Sequence, residues 1–118
     1  MYGRIAITGA AGAIGGALAR EMRRAWPACE LALIDRDAPT ALAAELGPAT
    51  AHAFDLREVD KIPAFIDAIG ELDGLVNCAG VMKVQHLSTW NWTDARDLIT
   101  IDLLAPLRLQ DLACRGMV

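Results

Sequence analysis

The stretch "AITGAAGAIGGALAREM", residues 6–22, places four glycines among alanines where an apolar run gives way to an amphipathic segment. Glycine inside a helix costs up to about 1 kcal/mol relative to alanine, so local propensity does not explain such a cluster. Glycine is favoured where the chain turns tightly or where another group must approach the backbone closely. The stretch therefore predicts a strand, a tight turn and a helix, with something lying against the turn.

Short apolar runs alternate with amphipathic segments along the chain, which is the pattern of βαβ units with a parallel sheet. The pattern predicts strands over 4–8, 30–35, 50–54 and 73–77, and helices near 13–26, 38–46, 58–70 and 91–115. In the first helix, Ile14, Leu18 and Met22 share one face, which we expect to pack on the sheet. The fold class expected is α/β.

The last predicted helix, 91–115, has apolar residues on too many sides for a single contact with a sheet. We expect a second buried face there, supplied by another subunit, as in a homo-oligomer, or by further chain. Asn91 is placed to cap this helix, with Asp94 reaching back to it. Pro106 should bend it, because proline removes one backbone donor and crowds the carbonyl of Asp102.

Composition excludes several classes of function. The chain has 118 residues and no linker-like or charged stretch that would divide it, so we expect residues 1–118 to form a single domain. A net charge of −4 with scattered arginines argues against nucleic-acid binding, and no apolar run approaches about 18 residues, which argues against a membrane span. The three cysteines have neither disulfide-framework nor metal-site spacing, so we expect no metal and a cytoplasmic location.

A bound dinucleotide would explain the glycine cluster; the alternative is that the glycines only let the helix pack close to the strand. The pyrophosphate of a dinucleotide is held by backbone N–H groups at a helix N-terminus, which requires a tight turn free of side chains. Residues 8–15, "TGAAGAIG", follow a strand and open a helix, and an acid expected about 20 residues later falls at Asp35. An aspartate there accepts hydrogen bonds from a ribose 2′-hydroxyl and repels a 2′-phosphate, which favours NAD over NADP. Arg36 could stack on adenine, meet a phosphate or be solvated. The cofactor-binding residues expected from this reasoning are Gly9, Gly12, Ile14, Gly15, Asp35 and Arg36.

Three motifs resemble those of the short-chain dehydrogenase/reductase family: "TGAAGAIG" at 8–15, "FDL" at 54–56 and "DGLVNCAGV" at 73–81. The resemblance implies that Asp55 bonds the adenine amino group and that Leu56 lines the adenine pocket. It also implies that Ala79 and Gly80 lie against the cofactor ribose and that Asn77 ties the central strands together. Taken alone, Asp55 could instead cap the following helix, and Asn77 with Gly80 could form an ordinary turn.

The resemblance implies the first half of a doubly wound Rossmann domain, with strand order 3-2-1-4 and without its C-terminal strands. It implies hydride transfer between NAD(P) and a small alcohol or carbonyl substrate. Asp102 aligns with the active-site asparagine of the family, which leaves any catalytic role for it altered. Alternatively, Asp102 is a helix aspartate that bonds a local backbone group or faces water. The serine and the Tyr-x-x-x-Lys motif of the family have no counterpart, since the only tyrosine is Tyr2. Two alternatives remain open: one half of a split enzyme completed in trans, and a non-catalytic dinucleotide-binding or interaction module.

Overall fold

A parallel four-stranded sheet forms the centre of the computed structural model, which describes residues 3–117. The strand order is β3-β2-β1-β4, as predicted. The strands are β1 (Arg4–Thr8), β2 (Glu30–Asp35), β3 (Ala49–Ala53) and β4 (Gly74–Asn77). The register pairs Ile5 of β1 with Leu31 of β2 on one side and with Gly74 of β4 on the other. All four carboxyl ends therefore meet at one edge of the sheet.

Helices cover both faces of the sheet, which is why β1 and β2 are almost wholly apolar and buried. The helices are α1 (Ala13–Ala25), α2 (Thr40–Leu46), α3 (Ile62–Ile69), α4 (Trp92–Ile99) and α5 (Ala105–Arg115). Short 3-10 turns precede α3 at Val59–Lys61 and α4 at Leu87–Thr89. One core cluster joins α1 to the sheet through Ala19 and Leu31, and another joins α3 and α5 to the opposite face. The architecture is the doubly wound α/β arrangement expected.

The predicted packing face of α1 is wrong at Ile14, whose side chain is 77% exposed. The residues that α1 buries are instead Gly15, Gly16 and Ala19, while Met22 is partly buried. Small residues allow the helix backbone to approach the turn before it, and that approach fixes the rotation of the helix. Ile14 is thereby left beside the turn, facing outward.

The last predicted helix is continuous from Trp92 to Arg115, but its middle, Thr100–Leu104, is a π-helical segment. Pro106 has no N–H to offer the Asp102 carbonyl, and the Ala105 N–H bonds to the carbonyl of Thr100, five residues earlier. The proline is therefore accommodated by a wider turn just before it. Asn91 caps the helix as predicted, accepting the Asp94 N–H at 2.8 Å.

The helix from 92 to 115 also presents an apolar surface to solvent. Four large side chains there are about half exposed: Ile99, Leu103, Leu104 and Leu107. Over residues 3–117, no helix has the length and apolar character needed to cross a bilayer. The same residues contain no group of three or more His, Cys, Asp or Glu side chains that could hold a metal ion.

Candidate functional site

The glycine turn is shaped by two close backbone approaches. Gly9 has a φ of +67°, and a methyl group there would lie 2.8 Å from the backbone nitrogen of Ala79 at the end of β4. A methyl group on Gly15 would lie 2.8 Å from the Gly9 carbonyl carbon and closer still to its oxygen. Both positions therefore require glycine, the first for conformation and contact, the second for contact alone.

The N-terminus of α1 is open. Its N-cap residue, Gly12, has no side chain to accept a hydrogen bond, and the first turn contains no acidic residue. The leading N–H groups of an α-helix have no partner within the helix, and they carry the positive end of its dipole. Gly12 itself is held by its N–H bond to the Gly9 carbonyl at 3.0 Å. The arrangement leaves amides available to an anion.

A cleft of about 540 Å³ lies along the edge where the carboxyl ends of the strands meet. It brings together most of the residues that the sequence singled out. Eight of the predicted site residues line it: Gly9, Gly12, Asp35, Arg36, Asp55, Leu56, Ala79 and Gly80. Four others, Ile14, Gly15, Asn77 and Asp102, are not among its lining residues.

Asp35 ends β2 beside the glycine turn. One carboxylate oxygen, Oδ2, accepts the Ala11 N–H at 2.9 Å, and the other, Oδ1, accepts the N–H of Arg36 at 2.7 Å. These two bonds fix the carboxylate between the turn and the end of its own strand. Each oxygen retains a lone pair that can accept a further hydrogen bond from a ligand.

Asp55, just after β3, is held by an arginine that the sequence analysis did not identify as a site residue. The Arg57 side chain donates to both carboxylate oxygens, with Nη2 at 2.6 Å from Oδ2, and its backbone N–H donates to Oδ1 at 3.0 Å. The side-chain hydrogen bonds of Arg57 lower the pKa of Asp55 from 3.8 to about 2. Arg57 also lies 3.8 Å from Asp97 on α4, so it links two walls of the cleft. The only sequence signal was an arginine two residues after the aspartate.

The loop just after β4 is tied to β1 by a threonine. Thr8 is buried, and its Oγ1 accepts the Ala79 N–H at 3.2 Å. Asn77 is exposed at the end of β4, and among the described residues its side chain makes no hydrogen bond. A polar residue closing the apolar run of β1 was the available signal for Thr8.

Asp102 lies on the π segment and contacts the loop after β4. Its Oδ1 accepts the backbone N–H of Val81 at 2.7 Å, across 21 residues of chain. A methyl group on Gly80 would lie 3.4 Å from the same oxygen. The carboxylate is therefore engaged with backbone.

One rim of the cleft carries an ion pair. Lys83, in the loop after β4, pairs with Asp94 in the first turn of α4, and both line the cleft. The Lys83 ammonium lowers the pKa of the Asp94 carboxyl, chiefly through their hydrogen bond. The loop after β4 is thus connected to the last helix at both Asp94 and Asp102.

The model of the short chain dehydrogenase family matches residues 4–118. Among curated proteins, polyketide synthase GfsA from Streptomyces halstedii is 40% identical over 92 residues, which are 68% of this chain and 1% of GfsA. Among solved structures, a protein from Thermus thermophilus described as a short-chain oxidoreductase is 30% identical, with a TM-score of 0.76. That match covers 93% of this chain and 52% of the Thermus protein.

A short-chain dehydrogenase/reductase of the glucose/ribitol dehydrogenase type from Brucella melitensis is 26% identical, with a TM-score of 0.81. The match covers 97% of this chain and 52% of the Brucella protein. The chain thus spans about half the length of these two solved relatives. The family match over nearly the whole sequence, together with the strand order, places the chain in the short-chain dehydrogenase/reductase family.

Proposed function

We propose that this chain is the dinucleotide-binding half of an NAD-dependent oxidoreductase that transfers hydride between nicotinamide and a small alcohol or carbonyl substrate. The observation that carries the proposal is the open N-terminus of α1 at the cleft, with Asp35 fixed beside it at the end of the next strand. The cofactor would supply the hydride chemistry, and the chain would bind and orient it.

The turn suits a pyrophosphate. Free amides and the helix dipole favour an anion at the start of α1, and no acidic side chain in its first turn competes for them. Gly12 lines the cleft without a side chain that would exclude a phosphate. Ile14, 77% exposed beside the turn, is proposed to lie against the cofactor. Gly15 would contribute indirectly, by allowing α1 to approach the turn.

Asp35 is proposed to accept a hydrogen bond from the ribose 2′-hydroxyl, which favours NAD over NADP because a carboxylate repels a 2′-phosphate. Arg36 lines the same cleft, and its positive charge contributes to lowering the pKa of Asp55. If the cofactor were NADP, Arg36 would be the residue placed to meet the additional phosphate. The preference between the two cofactors is therefore a direct test of the roles of Asp35 and Arg36.

The adenine end of the cleft contains Asp55 and Leu56. Leu56 is buried and offers an apolar surface, while Asp55 is proposed to accept a hydrogen bond from the adenine amino group. In this structure the Arg57 side chain donates to both Asp55 oxygens. Adenine binding at Asp55 would therefore require the guanidinium to give up at least one of these bonds.

The other end of the cleft is proposed to receive the nicotinamide ribose against Ala79 and Gly80. The 118 residues contain no Tyr-x-x-x-Lys, and their only lysines are Lys61 and Lys83. We therefore infer that general acid/base catalysis comes from residues outside this sequence, and that this chain alone binds the dinucleotide without turnover.

Thermal unfolding with and without cofactor tests the proposal. At 100 times Kd, NAD should stabilise the folded chain by about 2.7 kcal/mol, which raises the Tm. Asp35→Ala should reduce this shift, because it removes the ribose acceptor. Asp37→Ala is the matched control, since Asp37 is exposed two residues away and loses the same charge. Equal shifts for wild type and Asp35→Ala would contradict the ribose assignment, and a larger shift with NADP would contradict the choice of NAD.

A second candidate function is one half of a split enzyme that a separate polypeptide completes. Apolar surface that the described residues leave exposed near β4 favours it. β4 is an edge strand of the described sheet, and the loop after it exposes Met82, Val84 and Leu87 by 85% or more. A docking strand or second subunit would cover such a surface. Reading the DNA after the codon for Val118 separates the candidates: a continuation that encodes Tyr-x-x-x-Lys favours one polypeptide.

The apolar face of the last helix is proposed as a homo-oligomer contact, with Leu103 and Leu107 near its centre. The double variant Leu103→Glu/Leu107→Glu should shift the mass measured by light scattering from that of an oligomer to that of a monomer. A wild-type chain that is already monomeric at high concentration would contradict this assignment.

A further inference from the structure

The end of the cleft around Asp55 is mostly apolar. Phe54, Leu56 and Ile101 line it and belong to one core cluster, and the guanidinium of Arg57 lies among them at the surface. An apolar cleft with a few polar groups is the usual form of a small-molecule site. The polar groups at this end therefore decide which ligand is accepted and how tightly.

Arg57 uses the whole hydrogen-bonding capacity of the Asp55 carboxylate. Oδ1 accepts the backbone N–H and the Nε–H of Arg57, each at 3.0 Å. Oδ2 accepts the same Nε–H at 3.0 Å and an N–H of Nη2 at 2.6 Å. A carboxylate has about four lone-pair positions, so none remains for another donor. A ligand can therefore bond to Asp55 only by replacing part of Arg57, whereas Asp35 accepts a single bond on each oxygen.

A second carboxylate stands ready for the Arg57 guanidinium. Oδ2 of Asp97, on α4, lies 3.8 Å from Nη1 of Arg57, which is close enough for an ion pair but too far for a hydrogen bond. Within residues 3–117, the Asp97 carboxylate has no other ion-pair partner, while Asp94 in the same wall is paired with Lys83. The Arg57 side chain is 40% exposed, and exposed side chains change rotamer rapidly. The guanidinium can therefore move from Asp55 to Asp97.

The second carboxylate matters because the exchange at Asp55 is unequal. A hydrogen bond from a neutral amino group is about half as strong as one from a charged guanidinium. Replacing Arg57 by an amino group at Asp55 therefore loses interaction energy unless the guanidinium gains a new partner.

We propose that Arg57 sets the affinity of the cleft for an adenine nucleotide by competing with the base for Asp55, and that the bound base displaces the guanidinium onto Asp97. This inference rests on the proposed function, since it takes adenine as the group that Asp55 receives. Arg57 thus stabilises the free chain and opposes binding, and Asp97 reduces that opposition.

Calorimetric titration of the full chain with NAD tests the competition. Arg57→Met keeps an unbranched apolar side chain and removes every side-chain N–H donor, so the Kd for NAD should fall about three- to fivefold, as expected for loss of a partly exposed ion pair. A merely structural role would raise the Kd, and so would losing a positive charge near an anionic ligand. Lys61→Met is the matched control, because it removes the same charge from a pair with Glu58 that does not line the cleft. The control should not lower the Kd.

Asp97→Asn tests the second position of the guanidinium. The Kd for NAD should rise about two- to threefold in the otherwise wild-type chain, because the displaced Arg57 loses its partner. The same substitution should have no effect in Arg57→Met, which has no guanidinium to displace. Titration with AMP should reproduce the effect of Arg57→Met, whereas nicotinamide mononucleotide, which lacks adenine, should not respond to it.

The NMR signal of the Arg57 Nε–H in ¹⁵N-labelled chain provides a second readout, since it should shift when NAD saturates the wild type. If Arg57→Met does not fold, Arg57→Gln takes its place. A wild type that binds NAD at least as tightly as the variant, or an Nε–H signal unmoved by saturating NAD, would overturn the competition. An equal effect of Asp97→Asn with and without Arg57 would overturn the role of Asp97. If neither wild type nor Arg57→Met binds NAD, NADP or AMP, the proposed function itself is refuted, and the competition with it.

Discussion

Replacing Gly15 by alanine probes the close approach of α1 to the glycine turn. The added methyl would lie 2.8 Å from the Gly9 carbonyl carbon and 3.1 Å from the Ala10 Cα. Carbon atoms in ordinary contact are about 3.5–4.0 Å apart, so the overlap is about 0.7 Å or more. The neighbours are backbone atoms, which cannot rotate away as a side chain would. The N-terminus of α1 must therefore move.

Overpacking of this kind costs about 3 kcal/mol, at the upper end of its usual range because backbone is displaced. The higher helix propensity of alanine offsets about 1 kcal/mol of this loss in the free energy of unfolding. The expected net loss is about 2 kcal/mol, which lowers the Tm by about 8 °C for a chain of this size. Displacement of the amides should also abolish the Tm increase produced by NAD.

Thermal unfolding followed by circular dichroism measures both effects. Gly116→Ala is the matched control, since a methyl there would lie 3.7 Å from the Ala113 oxygen, an ordinary contact distance. The control should change the stability by less than about 0.5 kcal/mol. A Gly15→Ala chain that melts with the wild type and keeps the full NAD response would refute the reasoning about the turn.

Three further substitutions test the site and the core. Arg57→Gln removes the hydrogen bonds that hold the pKa of Asp55 at about 2 instead of 3.8. A lowered carboxyl pKa contributes its full stability above the pKa of the unfolded state and loses it as pH falls through the pKa of the folded state. Wild type should therefore exceed the variant in Tm at pH 6, and the difference should shrink as pH falls from about 4 to about 2. Thr8→Val leaves the Ala79 N–H without its acceptor and should cost about 1–2 kcal/mol in urea unfolding. Leu109→Ala empties a fully buried position and should cost about 2–5 kcal/mol, seen as a lower urea midpoint.

Each of these predictions has a contradicting outcome. A pH-independent Tm difference for Arg57→Gln would mean that its effect does not arise from the Asp55 carboxyl. A Thr8→Val chain as stable as wild type would mean that the Ala79 amide finds another acceptor. A loss below about 0.5 kcal/mol for Leu109→Ala would place that side chain at the surface rather than in the core.

The strands and the glycine turn could be predicted because their signals are local. The strand ends and the spacing from Gly15 to Asp35 lie in short stretches of sequence, and the sheet order follows from the family that these motifs resemble. The predicted packing face of α1 was wrong at Ile14. Periodicity identifies residues that share a face of a helix, but it does not say which face meets the sheet. That choice is made by the contact of Gly15 with the Gly9 carbonyl.

The contacts that shape the cleft could not be predicted in the same way. Val81 and Asp102 are 21 residues apart, and their contact depends on a π segment that no propensity indicates. Pro106 was expected to bend the helix, and the sequence did not indicate the wider turn that precedes it in the structure. Arg57 donates hydrogen bonds to both carboxylate oxygens of Asp55. The motif at 54–56 includes the aspartate but not the arginine, so it does not reveal this contact.

The π segment also preserves the rotational phase between the two ends of the last helix. Each residue of a regular α-helix turns the chain by about 100°. The wide turn completes its revolution with about one extra residue, so deleting Leu103 would leave a regular turn and keep the segment after it in nearly the same orientation. Deleting Arg108, in the regular helix, would instead rotate everything after it by that angle, and Leu109 and Ala113, which are buried, would swing toward water. The second deletion should therefore be far more damaging than the first, although both shorten the same helix by one residue.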